Sequence, residues 1–302
     1  MSREPATREA GLLYGVAAYG LWGVFPAFFS LLAPAGAPEI LAHRIVWTVV
    51  LMAVVLVAVG RLGDLRNITG RTRFLLAGAS VLISTNWLIY IFAVNEGHVV
   101  DAALGYFITP LFSVMLGVVL FGERLNRVQI VAVLLAAAAV ILLSFGAVGL
   151  PWIGVGLALS FGFYSAVKKM VPTDPRVSVA VETAVAAPFA LVYLVVLAFN
   201  GDSDFTNHGP VHVALMLLCG PVTALPLLCF AAAAQRLPLV TLGLLQYLTP
   251  SMQMIWGVLV DHEPMPPARW LGFALIWVAL AIFSTDAISR AHRNRPGTLH
   301  AS

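Results

Sequence analysis

Charge is scarce in this chain. Lys and Arg number 17 and Asp and Glu 14 among 302 residues, 10% of the sequence, against roughly 25% in an ordinary soluble domain. So little polar material cannot cover a soluble globule of this size. Disorder is excluded too, because it needs low hydrophobicity and high charge. The formal net charge is only +3, and the basic residues are dispersed rather than gathered into a stripe, so nucleic acid is not an expected partner. Cysteine is equally rare. Cys219 and Cys229 lie ten residues apart in one apolar run, about 15 Å apart along a helix, which is too far for a disulfide. No GxxxxGK[ST], HExxH, CxxC or GxSxG pattern occurs, nor any aspartate-rich cluster. No ATP hydrolysis, metal, cofactor or catalytic residue is therefore expected, and the chain does not read as an enzyme.

What the chain has is apolar length. Hydrophobic residues make up 60% of it. A helix needs about 20 mostly apolar residues to cross a bilayer. Ten such runs occur, near 11–32, 39–59, 74–95, 101–121, 126–146, 149–167, 177–199, 211–234, 239–259 and 267–288; they are called spans 1 to 10 below. The runs are continuous rather than alternating, which argues against a β-barrel. Span 1 has a longer apolar core than a signal peptide, so it is expected to remain as a membrane helix. With the amino terminus placed in the cytoplasm, 15 of the 17 basic residues fall on the cytoplasmic side. Only Arg269 lies outside, and Arg44 falls within a span. A miscounted helix would scramble this asymmetry, so the positive-inside rule predicts ten helices with both termini cytoplasmic.

The chain also resembles itself. Residues 106–123 read YFITPLFSVMLGVVLFGE and residues 246–263 read QYLTPSMQMIWGVLVDHE. At an offset of 140, Thr109 meets Thr249, Pro110 meets Pro250, Gly117 meets Gly257 and Glu123 meets Glu263. Near an offset of 139, Gly15 and Gly23 meet Gly154 and Gly162. This pattern predicts a duplication of five helices. Five is odd, so the second copy inserts upside down. The expected architecture is an all-α integral membrane protein of two inverted five-helix repeats, 11–146 and 149–288. A tail at 1–10 and a basic tail at 289–302 flank them. Inverted repeats are typical of secondary transporters, because the same halves can form two equivalent arrangements, one open to each side.

Four stretches carry a family resemblance: AYGLWGVFPAFF at 18–29, EILAHRIVW at 39–47, the long run 86–125 that contains NWLIYIFAVNEG and GYFITP, and TALPLLCFAAAAQRLPLVTLGLLQYLTPSMQMIWGVL at 223–259. In these the chain resembles the RarD-type branch of the EamA proteins, in the drug/metabolite transporter superfamily. Asp261-His262 departs from the Phe-Gly that usually precedes the Glu. The resemblance implies a permease of the bacterial inner membrane, linked to chloramphenicol sensitivity or resistance. It also implies a cavity bounded by spans 1–4 and 6–9, with spans 5 and 10 at the periphery. A homodimer contact there is an open expectation.

Ionisable groups inside a membrane are costly and point to function. His43 and Arg44 lie early in span 2 from its outer end, with Trp47 one turn on. Arg44 is read either as a site residue or as a structural cation paired with a carbonyl or Glu39. His43 is read either as a proton carrier or as a packed histidine. Glu182 is the carboxylate deepest in an apolar run and falls opposite His43 at offset 139. It is expected to face the central cavity, as proton carrier or substrate contact. Lys168 and Lys169 end span 6 and read as cytoplasmic anchors. Asn86, Trp87 and Tyr90 of span 3, with Tyr106, Gln246 and Tyr247 of the Thr-Pro segments, are candidate lining residues for a small, partly aromatic solute. Pro110 and Pro250 each remove a helical hydrogen bond, and matched interruptions mark the binding region of such folds. The expected partners are a small molecule, the lipid bilayer and protons.

Overall fold

A computed structural model describes residues 4–33, 35–95, 99–144, 151–260 and 267–293. Among them there are α-helices and short 3-10 turns and no strand. The helices are α1 (Glu4–Gly23), α2 (Phe25–Phe29), α3 (Ala37–Ala58), α4 (Gly70–Asn95), α5 (Val99–Phe121), α6 (Arg127–Ser144), α7 (Pro151–Met170), α8 (Pro175–Asn200), α9 (Gly209–Ala234), α10 (Leu239–Leu245), α11 (Leu248–Leu259) and α12 (Pro267–Arg293). Each apolar run of the sequence overlaps one helix or one broken pair. Among the described residues, five helices are long and apolar enough to cross a bilayer: Ala37–Ala58, Gly70–Ala93, Arg127–Ser144, Pro175–Asn200 and Gly209–Ala234. Gly105–Phe121 and Trp270–Asp286 are shorter apolar helices. Large apolar side chains such as Phe74, Phe189 and Phe199 lie exposed on the outside, as a lipid-facing surface requires.

The breaks have identifiable causes. Thr7–Gly23 and Phe25–Leu32 meet at a bend of 42°. Pro26 has no N–H, so the carbonyl four residues earlier, on Trp22, loses its helical partner. Gln253 of α11 fills that gap, donating Nε2 to Trp22 O at 3.2 Å. Thr249 donates to Tyr19 O at 2.7 Å beside it. The matched Thr-Pro segments behave differently. Pro110 sits inside the continuous α5, where Thr109 bonds back to Gly105 O at 2.7 Å. Pro250 follows an outright break between α10 and α11 at Gln246 and Tyr247.

Gly220 and Gly243 are among the glycines that allow close helix contact. A Cβ on Gly220 would stand 2.7 Å from the Trp47 carbonyl oxygen, so its absence lets α9 rest on the α3 backbone. A Cβ on Gly243 would meet Pro110 O at 2.8 Å, which sets α10 against α5. The remaining packing follows a pattern. α1 lies on α9 and α11, and α7 lies on α4 and α5; α3 lies on α8 and α9, and α8 on α3 and α4. α5 packs on α10, and α6 on α12. Exchanging the helices before residue 147 with their counterparts after it turns each of these contacts into another of them or into itself. The Tyr247 hydroxyl donates to Phe107 O at 3.2 Å, and these two positions are separated by the repeat offset of 140.

Asp174 starts α8 by accepting from the Arg176 N–H at 2.9 Å. Bonds from the Arg176 side chain, together with that N–H and the nearby Arg61, hold its carboxyl down to about 2. A folded value below the unfolded one of about 3.9 gives stability that is present above about pH 4 and lost as pH falls towards 2. Asp174→Ala is expected to cost about 1 kcal/mol at neutral pH. In thermal melts its difference from wild type should shrink as pH falls from about 4 to about 2. A pH-independent difference would show that the carboxylate charge plays no part.

Candidate functional site

The half-buried Arg44 of α3 stands in a ring of aromatic groups. Its guanidinium carbon lies 5.4 Å from the Phe25 ring centre, 5.3 Å from Phe29 and 4.8 Å from Trp87. Nε donates to Thr223 Oγ1 of α9 at 3.0 Å. The Tyr90 and Tyr106 phenols and the Cys219 thiol are within electrostatic reach, and the two tyrosine rings are 5.7 Å apart. Cation–π contact offsets part of the cost of holding a guanidinium away from water, about 0.5–2 kcal/mol per ring. Among the described residues no carboxylate pairs with Arg44. Glu39, one of the two partners the sequence offers it, is engaged elsewhere: it accepts from Ser203 Oγ at 2.8 Å and Asp204 N at 3.0 Å.

His43, one residue before Arg44, belongs to a different cluster. Its Nδ1 accepts from Trp47 Nε1 at 3.0 Å, which assigns the proton of the neutral ring to Nε2. Nε2 has no hydrogen-bond partner and lies 3.9 Å from Glu39 Oε1. The ring stacks on Phe205, 4.6 Å between centres. His212 lies within electrostatic reach.

Glu182 does not stand open to a cavity. It is 4% exposed, and its carboxylate pairs with Lys168 Nζ. It also accepts from Ser178 Oγ at 2.9 Å and Tyr164 OH at 3.2 Å. Lys168 is 1% exposed and donates to Ser178 Oγ at 2.5 Å. The anchor reading of Lys168 is thus corrected: its stem folds back along α7 because a buried carboxylate needs a buried cation. A sequence signal existed. The chain has only two lysines, and both end the helix that precedes Glu182. Lys169 behaves differently, donating to Leu237 O at 2.7 Å and lying 3.4 Å from Glu123.

Of the residues singled out from sequence, Arg44, Trp87, Tyr90 and Tyr106 come together, with His43 and Trp47 beside them. Asn86 points away from this group. It donates to Leu157 O at 3.1 Å and Ser160 Oγ at 3.0 Å, tying α4 to α7. Gln246 and Tyr247 are buried at the α5–α10 contact, and the Gln246 amide oxygen has no partner. Phe25, Phe29 and Thr223 were not singled out. Phe25 and Phe29 are four apart on one short helix face, which is the periodic signal that could have found them.

The half-buried Arg44 cation thus stands in an aromatic box at the junction of the two sequence halves. The EamA-like transporter family matches twice, over residues 9–145 and 149–285. The chain belongs to that family, in its RarD-type branch. It is 48% identical to protein RarD of Streptomyces exfoliatus over 290 residues, covering 95% of this chain and 92% of the relative. It is 41% identical to protein RarD of Escherichia coli K12, covering 95% and 97%. A more distant relative, chloramphenicol-sensitive protein RarD of Pseudomonas aeruginosa, is 28% identical over 92% of this chain and 94% of its own. A crystal structure with 19% identity superposes with a TM-score of 0.73, over 93% of this chain and 99% of that one, which shows a shared fold. This EamA-family chain is a multi-span bacterial membrane protein of the drug/metabolite transporter class.

Proposed function

We propose that this protein is a secondary active transporter that moves a small organic solute across the bacterial inner membrane by alternating access. Ten helices would form two inverted repeats, residues 11–146 and 149–288, between a cytoplasmic tail at 1–10 and a cytoplasmic basic tail at 289–302. The exchange symmetry of the helix contacts supports the repeat. The observation that carries the reading is the Arg44 box, because it is built from both halves: α2, α3, α4 and α5 from the first and α9 from the second. A site at such a junction changes its exposure when the halves rock. No catalytic step is assigned to it. The packed pair α6 and α12 is the surface proposed for a homodimer.

Proton coupling falls to His43 rather than to Glu182. The Glu182 carboxylate is held by a cation and two hydroxyls, and a proton there would strand Lys168. On His43, a second proton must enter at Nδ1, and it would displace the Trp47 indole that donates there. Proton uptake is thereby linked to the movement of a side chain one turn from Arg44. Glu39 faces the ring, and protonation would turn their 3.9 Å approach into an ion pair.

Chloramphenicol is the first solute to test, from the name of the Pseudomonas relative. Lower accumulation of the labelled drug in cells expressing the protein than in cells without it, abolished by a protonophore, would make chloramphenicol a substrate. His43→Gln should flatten the pH dependence of that transport. Equal accumulation with and without the protein would remove chloramphenicol as a substrate. An unchanged pH profile in His43→Gln would remove His43 as the coupling group.

A further inference from the structure

We infer that the solute is an organic anion, its negative group set on the Arg44 guanidinium and an aromatic body against Phe25, Phe29 and Trp87. This deepens the transport reading and rests on its placement of the site. The fully buried charges among the described helices are held by an opposite charge or by direct N–H and O–H donors. Lys168 has Glu182, and Glu39 accepts directly from the Asp204 N–H and the Ser203 hydroxyl. Arg44 has three rings, one hydroxyl and two neutral phenols. Rings stabilise a cation through their quadrupoles but do not neutralise it.

The donor arithmetic agrees. A guanidinium has five N–H donors and cannot be deprotonated in proteins. Among the described residues, only the Nε donor has a hydrogen-bond acceptor, the Thr223 hydroxyl. The four Nη donors form the fork that suits a carboxylate or phosphate bidentately. The fold itself does not demand the cation. The repeat-mate of Arg44 at offset 139 is Thr183, whose hydroxyl bonds Val179 O within its own helix at 2.8 Å. An architecture that does without the charge in one half carries it in the other for something it binds. A neutral solute would leave the half-buried guanidinium without a counter-charge. An organic anion would neutralise it and cover the rings.

The test uses two probes that differ only in charge, indole-3-acetate and indole-3-acetamide. Binding of each to the purified full-length protein is measured by equilibrium dialysis in gluconate buffer at neutral pH. Wild type should bind the carboxylate at least about tenfold more tightly than the amide. Arg44→Gln should bring that ratio close to one, and Arg44→Lys should keep part of it. Thermal melts of both variants, and the charge-preserving Arg44→Lys, separate a lost site from a lost fold. Equal binding of the two probes by wild type, binding of neither, or a preference that survives in Arg44→Gln would overturn the inference. Displacement of the carboxylate as readily by chloride or acetate as by unlabelled indole-3-acetate would also overturn it, since the site would then take any small anion. Counterflow in proteoliposomes separates the two readings. Carboxylate that binds but never exchanges defeats the transporter and keeps the anion site. Exchange of neutral chloramphenicol without the carboxylate does the reverse.

Discussion

Lys168→Met is expected to destabilise the protein by about 3–5 kcal/mol, the cost of leaving a buried carboxylate without its cation. Lys168 and Glu182 are almost fully enclosed, so water cannot screen the loss. The Ser178 and Tyr164 hydroxyls also touch the carboxylate, but neither carries a compensating charge. A large drop in melting temperature of the purified protein in detergent should follow. The double variant Lys168→Met/Glu182→Met should recover much of it, because apolar residues of similar volume can replace a buried ion pair at little cost. A single variant that melts with wild type, or a double variant as unstable as the single, would show that the pair does not hold α7 to α8. The same pair decides the fate of Glu182→Gln. Any loss of transport in that variant has to be read beside its stability, since it too strands Lys168.

Glu123→Ala should be the second large effect. The Glu123 carboxylate accepts from Leu239 N at 2.7 Å and Val240 N at 2.8 Å, and so caps the start of α10 from the end of α5. Lys169 stands 3.4 Å away and also donates to Leu237 O. One side chain thus ties the ends of α5 and α7 to the turn between α9 and α10. Hydrogen bonds to a charged acceptor are worth about 1.5–3 kcal/mol each, and water near the helix ends returns part of this, so the net loss should be about 2–4 kcal/mol. Amide exchange should rise locally over residues 237–245. Glu123→Gln, which keeps one acceptor oxygen, should fall between wild type and Ala. Unchanged exchange in this segment would mean that the cap is dispensable.

Residues four apart on one helix, or matched across the repeat, were open to sequence reasoning. His43 with Trp47 and Ser178 with Glu182 are such i,i+4 neighbours, and both pairs bond as that spacing allows. Glu123 was visible only as a repeat position matched to Glu263; its role as a cap was not. Its partners lie more than a hundred residues away, and they are backbone N–H groups, which every non-proline residue has. Lys168 was misread for a related reason. A lysine at a helix end usually reaches outward, and only the arrival of Glu182 on the neighbouring helix makes the inward path favourable. Asn86 lies one turn from Tyr90 on α4 yet bonds α7, while Tyr90 lies beside Tyr106. Spacing alone cannot say which neighbour each side of a helix meets.

The sequence by itself determined the apolar runs, the absence of catalytic and metal motifs, and the two matched halves. It could do so because each helix in lipid must satisfy its own backbone hydrogen bonds, so an apolar run declares itself locally. The tertiary structure alone decided which buried charges are compensated. Lys168 and Glu182 cancel one another, Glu39 turns to the 203–204 loop, and Arg44 is left among rings. That outcome depends on which helices touch, through contacts such as Gly220 on the Trp47 backbone and Gly243 on Pro110. Electrostatic energy in a low-dielectric interior is set by distances between groups far apart in the chain, and those distances exist only once the helices are packed.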